Sequence, residues 1–337
     1  MTRIRPRRPA RSFDLHHHLT TLFVCAVATV VLTRGFLAAT GYPQVGGSKL
    51  HIAHVLWGGL LLLTALIATL AFLNPATKPL AAILGGVGFG LFIDEVGKFV
   101  TKDVDYFYRP AIAIIYVSFV VLWLVIRSLS GRGFRPVEAT LIGLESLQRA
   151  AVGTLTDERR AQVLLVLRTA EPADALSDSV RSLLEQTAAV EVDDPPLTHR
   201  VSNTLAAVWD RMTRHRLFRG GVLAVILVGA FVSVVEIAWL LRNGTGGLTF
   251  SEKGFVVTTV AANVLLVIGL VRLSDSTLDA LHWYDRAVLL EITVSQVFLY
   301  GSEQLAATLN LVVLLVLWAL IRWAIHFESG RTAASLA

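Results

Sequence analysis

The sequence predicts an all-α membrane protein of about eight transmembrane helices, built as two parallel four-helix repeats with a helical cytoplasmic insert. Three observations carry this expectation. Apolar runs lie near 19–40, 51–73, 79–100, 109–128, 218–241, 254–273, 284–301 and 304–325, each close to the roughly 20 residues a span needs. A polar stretch at 131–217 divides them four and four. Segments also recur between the halves. "VVLWLVIR" at 120–127 matches "LVLWALIR" at 315–322, and "FIDEVGKF" at 92–99 lies over "TVSQVFLY" at 293–300. With 54% hydrophobic residues and a mean hydropathy of +0.64, the chain is too apolar for a soluble domain of its size.

The expected order of segments follows. Residues 1–18 form a basic cytoplasmic tail, with Arg3, Arg5, Arg7, Arg8 and Arg11 against one acid, Asp14. The first four spans occupy 19–130, the insert 131–217, the second four spans 218–327, and a cytoplasmic tail 328–337. The arginine tail places the N-terminus in the cytoplasm under the positive-inside rule. An even number of spans returns the C-terminus to the same side. Lys78, Arg127, Arg132, Arg135, Arg272, Arg286, Arg322 and Arg331 then fall on the inside. The loop at 101–108, with Lys102, is the one poor fit. Even-numbered repeats are parallel, related by an axis along the membrane normal. The first apolar run is longer than a signal-peptide core and reads as a retained anchor. The seventh run is the weakest, because Glu291 and Gln296 interrupt it.

Composition excludes several classes. The one cysteine, Cys25, rules out a disulfide or a cysteine metal site within one chain. No basic stripe recurs beyond the N-terminal tail, which argues against nucleic-acid binding. The insert has no phosphate loop, zinc spacing or nucleophile elbow. It reads as helical: Leu141, Leu144 and Leu147 share a face, Thr156 is an N-cap before Asp157 and Glu158, and Val180, Leu183 and Leu184 have helical spacing. A last helix from about 197 carries Leu205, Trp209 and Met212. The insert is expected to pack, or to dock a cytoplasmic protein partner.

The chemistry concentrates near the outer end of the spans. Asp94, Glu95 and Lys98 end the third run. Charges inside a membrane are costly unless paired or hydrated, so they mark functional positions by default. Asp94 and Lys98 are i, i+4 and can pair; Gly86 and Gly90 continue that face and permit close helix contact. Arg34, His51, His54, Glu236 and Gln296 fall at similar depth on other spans. Together, Arg34, His54, Asp94, Glu95, Lys98, Glu236 and Gln296 predict a polar pathway open to the outside. Against that stands a structural account, with Arg34 paired to Glu236 and Asp94 to Lys98. A metal reading uses His51, His54, Asp94 and Glu95 as nitrogen and oxygen ligands for zinc or iron. Asp105, Tyr106, Tyr108 and Arg109 in "DVDYFYRPA" are an interfacial belt or a lid. "GGVGFG" at 85–90 lies inside a span and has the wrong spacing for a dinucleotide fingerprint.

"HIAHVLWGG" together with "GFGLFIDEVGKFVTKDVDYFYRPA" resembles a group of uncharacterised bacterial polytopic integral membrane proteins. The resemblance is best over the first four spans and implies a bacterial inner-membrane setting, but no chemistry. The acids, arginine and histidines are also similar to those of intramembrane zinc hydrolases of the ceramidase type. The closing HxxxH pair of that family is absent, so its activity is not carried over. Three function classes remain: a transporter or permeation protein, a membrane-embedded metal-dependent enzyme, and a non-catalytic scaffold or sensor acting through the insert.

Overall fold

A computed structural model describes residues 9–40, 54–96, 109–130, 133–169, 175–190, 249–302 and 304–336, with helical positions 229, 233–235, 237, 238 and 242. Among these residues every regular element is helical, and β pairing is limited to one parallel bridge between Thr156 and Val190. Six helices are long and apolar enough to cross a membrane: Leu15–Phe36, His54–Ala71, Thr77–Asp94, Ala111–Ser130, Phe250–Arg272 and Ala307–Ile325. The chain is a membrane protein on that evidence. Its apolar side chains point outward, as lipid contact requires: Leu32, Leu56, Leu70, Val257 and Leu309 are all more than half exposed.

The chain divides into two compact units. The first comprises residues 1–96 and 118–195, the second 97–117 and 196–337. These are not the expected halves. The insert joins the N-terminal spans, and the start of the fourth helix joins the C-terminal ones.

In the first unit, α1 (Leu15–Thr40) and α2 (His54–Ala71) both pack on α3 (Thr77–Asp94). Glycines set the spacing. A Cβ on Gly86 would lie 2.4 Å from the Leu22 carbonyl oxygen, and one on Gly90 2.7 Å from that of Ala26. On the other side, Gly58 and Gly88 approach so closely that a Cβ on either would lie 2.8 Å from the other's carbonyl oxygen. "GGVGFG" is therefore a two-sided packing seam of the small-residue kind that membrane helices use. The inner part of α4 (Arg109–Ser130) completes the layer, with Phe119 edge-on to Phe23 and Phe89 at 5.8 and 5.9 Å. Pro110 is the second residue of α4, where its missing N–H costs no intrahelical bond.

The insert folds onto the end of this unit as α5 (Pro136–Ala151), α6 (Asp157–Thr169) and α7 (Ala175–Gln186). Thr156 caps α6 as expected, accepting the Arg159 N–H at 3.3 Å. The core consists of Ala139, Ile142, Leu155, Val163, Leu167, Val180 and Leu184. The buried face of α5 is that of Ala139 and Ile142, whereas Leu141 and Leu144 are exposed. Likewise Val180 and Leu184 are buried, but Leu183 is exposed. The cause is Gly143: a Cβ there would meet Val180 at 2.5 Å, so the helices close on the small-residue face rather than the leucine face. The expected helix with Leu205, Trp209 and Met212 lies outside the described residues.

Polar contacts fasten this domain to the spans. Glu138, almost fully buried, holds Arg11 at 3.0 Å and Arg135 at 3.0 Å. Hydrogen bonds from Arg11 hold its carboxyl far below the ordinary carboxylate range, against the opposing effect of burial. Lys78, in the first turn of α3, reaches Glu145 at 2.7 Å, and Gln148 donates to the Leu73 carbonyl at 2.8 Å. Asp14, just before α1, accepts from Arg149 and Arg159 at 2.9 and 2.7 Å.

In the second unit, α8 (Phe250–Arg272) starts with a capping box: Thr249 accepts the Glu252 N–H, and Glu252 accepts the Thr249 N–H at 2.7 Å. It packs against a helical path of α9 (Thr277–Leu290), a π turn at Glu291–Ser295, and α10 (Gln296–Ser302). This is the weak seventh run. The π turn falls on the polar interruption, and the helical path continues through it from Thr277 to Ser302. A long helix, α11 (Gln304–Leu336), follows and runs well past residue 325. The fifth run, 218–241, lies mostly outside the described residues, so the count of eight spans and the four-plus-four repeat remain an expectation.

Candidate functional site

The glycine seams bring three helix ends together in the first unit. Gly86, Gly90 and Asp94 share a face of α3 at i, i+4 and i+8, opposite Leu22, Ala26 and Arg34 of α1. The two helices therefore run parallel. α2 runs antiparallel to α3, with Ala65 near Gly85, Gly58 against Gly88, and His54 beside Asp94 and Glu95. Residues 60 apart in sequence thus meet because glycines let the backbones approach.

Arg34 Nε lies 2.5 Å from Asp94 Oδ1. His54 sits between the two acids, with Nε2 3.3 Å from Asp94 Oδ2 and Nδ1 3.7 Å from Glu95 Oε1. Its Nε2 lacks the alignment of a directed hydrogen bond. Glu95 Oε2 accepts the Val55 N–H at 2.8 Å. That amide is in the first turn of α2, where helical N–H groups have no intrahelical acceptor. The carboxylate thus caps a neighbouring helix at its positive end. Asp94 is less well placed by its own backbone, since the C-terminal end of α3 disfavours a negative charge; Arg34 offsets this. Both carboxylates are sealed, with side chains 0% exposed, while Arg34 at 32% and His54 at 23% are open. Arg34 and His54 form the accessible rim and the acids the floor.

The expected pairs were Lys98 with Asp94 and Glu236 with Arg34; the described residues show Arg34 on Asp94. Lys98, Glu236 and His51 lie outside the described residues, as do Asp105, Tyr106 and Tyr108 and the side chain of Arg109. Neither the five-span convergence nor the lid is visible among the described residues. Those residues also include no group of three His, Cys, Asp or Glu side chains arranged to hold a metal ion. Asp94 is instead engaged by a guanidinium, which competes with any cation for the same oxygens.

In the second unit, Ser295 and Gln296, which the expected repeat would match to Asp94 and Glu95, are both fully buried. Gln296 donates to the Ala307 carbonyl and accepts from Asn310 at 3.2 Å. Tyr116, from the start of α4, donates its hydroxyl to the Ile292 carbonyl inside the π turn. A π turn takes one carbonyl out of the regular ladder, and the tyrosine supplies the substitute donor. Tyr116 also packs on Tyr300, with ring centroids 5.1 Å apart. Sequence reasoning found Gln296 but not Tyr116 or Asn310. The polar break at Glu291 and Gln296 was the only signal of this network.

The matched ends "VVLWLVIR" and "LVLWALIR" also behave alike. Arg127 lies over the Trp123 ring at 5.3 Å and Arg322 over Trp318 at 5.6 Å, the Trp–Arg pairing expected where a span meets a headgroup layer. Trp318 additionally donates to buried Asp285 at 3.0 Å.

Searches against known protein families, curated proteins and solved structures find no match to this chain.

Proposed function

We propose that this membrane protein is a transporter or permeation protein, in which Arg34, His54, Asp94 and Glu95 border a polar pathway open at the outer face. The observation that carries this reading is the pair of sealed carboxylates at the end of a span, covered by a histidine and an arginine that remain accessible. Buried membrane charge costs at least about 2–3 kcal/mol per group unless compensated. Proteins keep it where a charge or a polar solute is handled. The buried polar pair at the matched positions 295 and 296 supports a parallel repeat in which one copy is ionic and the other neutral.

The setting we propose is a bacterial inner membrane with both termini and the 133–190 domain in the cytoplasm, motivated by the arginine distribution. In a Cys25→Ala background, cysteines at positions 45 and 246 will react with an impermeant maleimide in intact cells. One replacing the exposed Thr154 will react only after lysis. Labelling at 154 in intact cells overturns this orientation.

The metal-enzyme reading has weaker support, because Arg34 occupies Asp94. The scaffold reading has one observation in its favour: Leu176 and Leu183 stand exposed on α7 at i, i+7. The transport reading is tested by charge-displacement currents from proteoliposomes challenged with inorganic ions, organic anions, amino acids and sugars. A saturable current absent from empty liposomes is expected for at least one class. No current for any class, in protein shown to be folded, rejects it.

A further inference from the structure

The junction between the insert and the first span carries more positive charge than its acids neutralise. Arg149 and Arg159 have side chains only 15% and 13% exposed, and both bind the same carboxylate, Asp14. Glu145 also lies within Coulombic reach of Arg149 but is bound to Lys78 at 2.7 Å, and Glu138 is bound to Arg11 and Arg135. Two nearly buried guanidiniums thus share one negative charge. Buried charges are normally paired one for one, because an uncompensated charge away from water is costly. His18, one turn into α1, lies within Coulombic reach of Asp14, Lys78 and Arg149 and adds no negative charge.

Hydrogen bonding is left incomplete in the same sense. Arg149 Nε, Arg159 Nε, Arg159 Nη2 and Ser12 Oγ are buried and have no partner among the described residues. All four can donate. Unmet buried donors are costly, so four beside one excess positive charge call for an acceptor-rich anion. The guanidinium of Arg159 is held in place: its Cζ lies 5.0 Å over the Phe13 ring, and Phe13 stacks on Phe134 at 6.0 Å. A fixed planar fork suits phosphate oxygens. Burial and the neighbouring Arg159 also pull the Arg149 guanidinium below its ordinary pKa, against the opposing pull of Asp14 and Glu145.

The geometry points to a phosphate-binding site formed by Ser12, Arg149 and Arg159 around Asp14. Its ligand is a phosphate-bearing anion, either an anionic lipid headgroup or free phosphate. The first candidate span begins at Leu15, one residue after Asp14, so the donors stand at the level of the lipid phosphates.

The test is thermal unfolding of the delipidated full-length chain in detergent. It is titrated separately with short-chain phosphatidylglycerol, phosphatidylcholine of equal chain length, and inorganic phosphate. Saturable stabilisation by phosphatidylglycerol alone identifies a headgroup site, and stabilisation by inorganic phosphate as well identifies a site for the phosphate group itself. Arg159→Gln is expected to weaken the apparent affinity by about tenfold or more. Ser12→Ala, which changes no charge and can be compared even if Arg159→Gln fails to fold, is expected to weaken it about fivefold. Asp14→Asn removes the competing carboxylate and is expected to tighten binding. A wild-type response to phosphatidylglycerol no greater than to phosphatidylcholine, with none to phosphate, overturns the proposal. So does unchanged affinity in Ser12→Ala together with Asp14→Asn.

Discussion

Arg34→Ala will destabilise the folded protein by about 2–4 kcal/mol, because it removes the guanidinium paired with the fully buried Asp94 carboxylate. Stranding one partner of a buried pair ordinarily costs about 3–5 kcal/mol; the smaller figure reflects the partial exposure of Arg34. His54 approaches the same carboxylate at 3.3 Å but lacks a directed hydrogen bond to it, so it replaces Arg34 poorly. Removing both charges together, as Arg34→Met with Asp94→Asn, will recover most of the loss, since an uncharged pair needs no compensation. Unfolding of the four purified forms in detergent gives the coupling directly. An Arg34→Ala protein as stable as the parent would mean that Asp94 draws its compensation from elsewhere.

The second large effect concerns the glycine seam. Gly86→Ala will force α1 and α3 apart, because the new methyl lies 2.4 Å from the Leu22 carbonyl oxygen and 2.7 Å from Cys25. Gly88→Ala will do the same to α2 and α3. Overpacking of this kind costs about 1–3 kcal/mol, and its effect extends beyond stability, since the seam positions Arg34 and His54 over the acids. Gly35 and Gly59 are controls on the same helices: a Cβ at either meets nothing within 4 Å. Alanine there will be neutral or stabilising by about 0.5–1 kcal/mol through helix propensity. Folded yield and unfolding midpoint of the four alanine variants check this. Equal tolerance at all four positions would contradict the close approach of the backbones.

The sequence was most legible where the physics is local. Apolar run length located the six spanning helices to within a few residues, and the spacing of Gly86, Gly90 and Asp94 correctly described one face of α3. The break at Glu291 and Gln296 was visible too, though only the structure shows that it takes the form of a π turn. Pairing was not legible. Arg34 reaches Asp94 from another helix, and nothing local reports that α1 and α3 approach so closely. The junction of Asp14 with Arg149 and Arg159 was hidden for the same reason, as its members lie 135 and 145 residues apart. Helical spacing picked out Val180 and Leu184 of the α7 core and Leu147 beside it, but Leu141, Leu144 and Leu183 are exposed, because Gly143 brings α5 and α7 together on a neighbouring face.

The most direct test of the proposed function compares Glu95→Gln with Gln296→Ala in the proteoliposome current assay, with folded protein quantified in each sample. Glutamine keeps the acceptor oxygen that binds the Val55 N–H and removes only the charge. Glu95→Gln is expected to abolish the current at an undiminished folded yield, while Gln296→Ala reduces it less. A normal current from Glu95→Gln, or a loss that tracks a fall in folded protein, would contradict the proposed function and leave the Asp94–Glu95 cluster a structural ion pair.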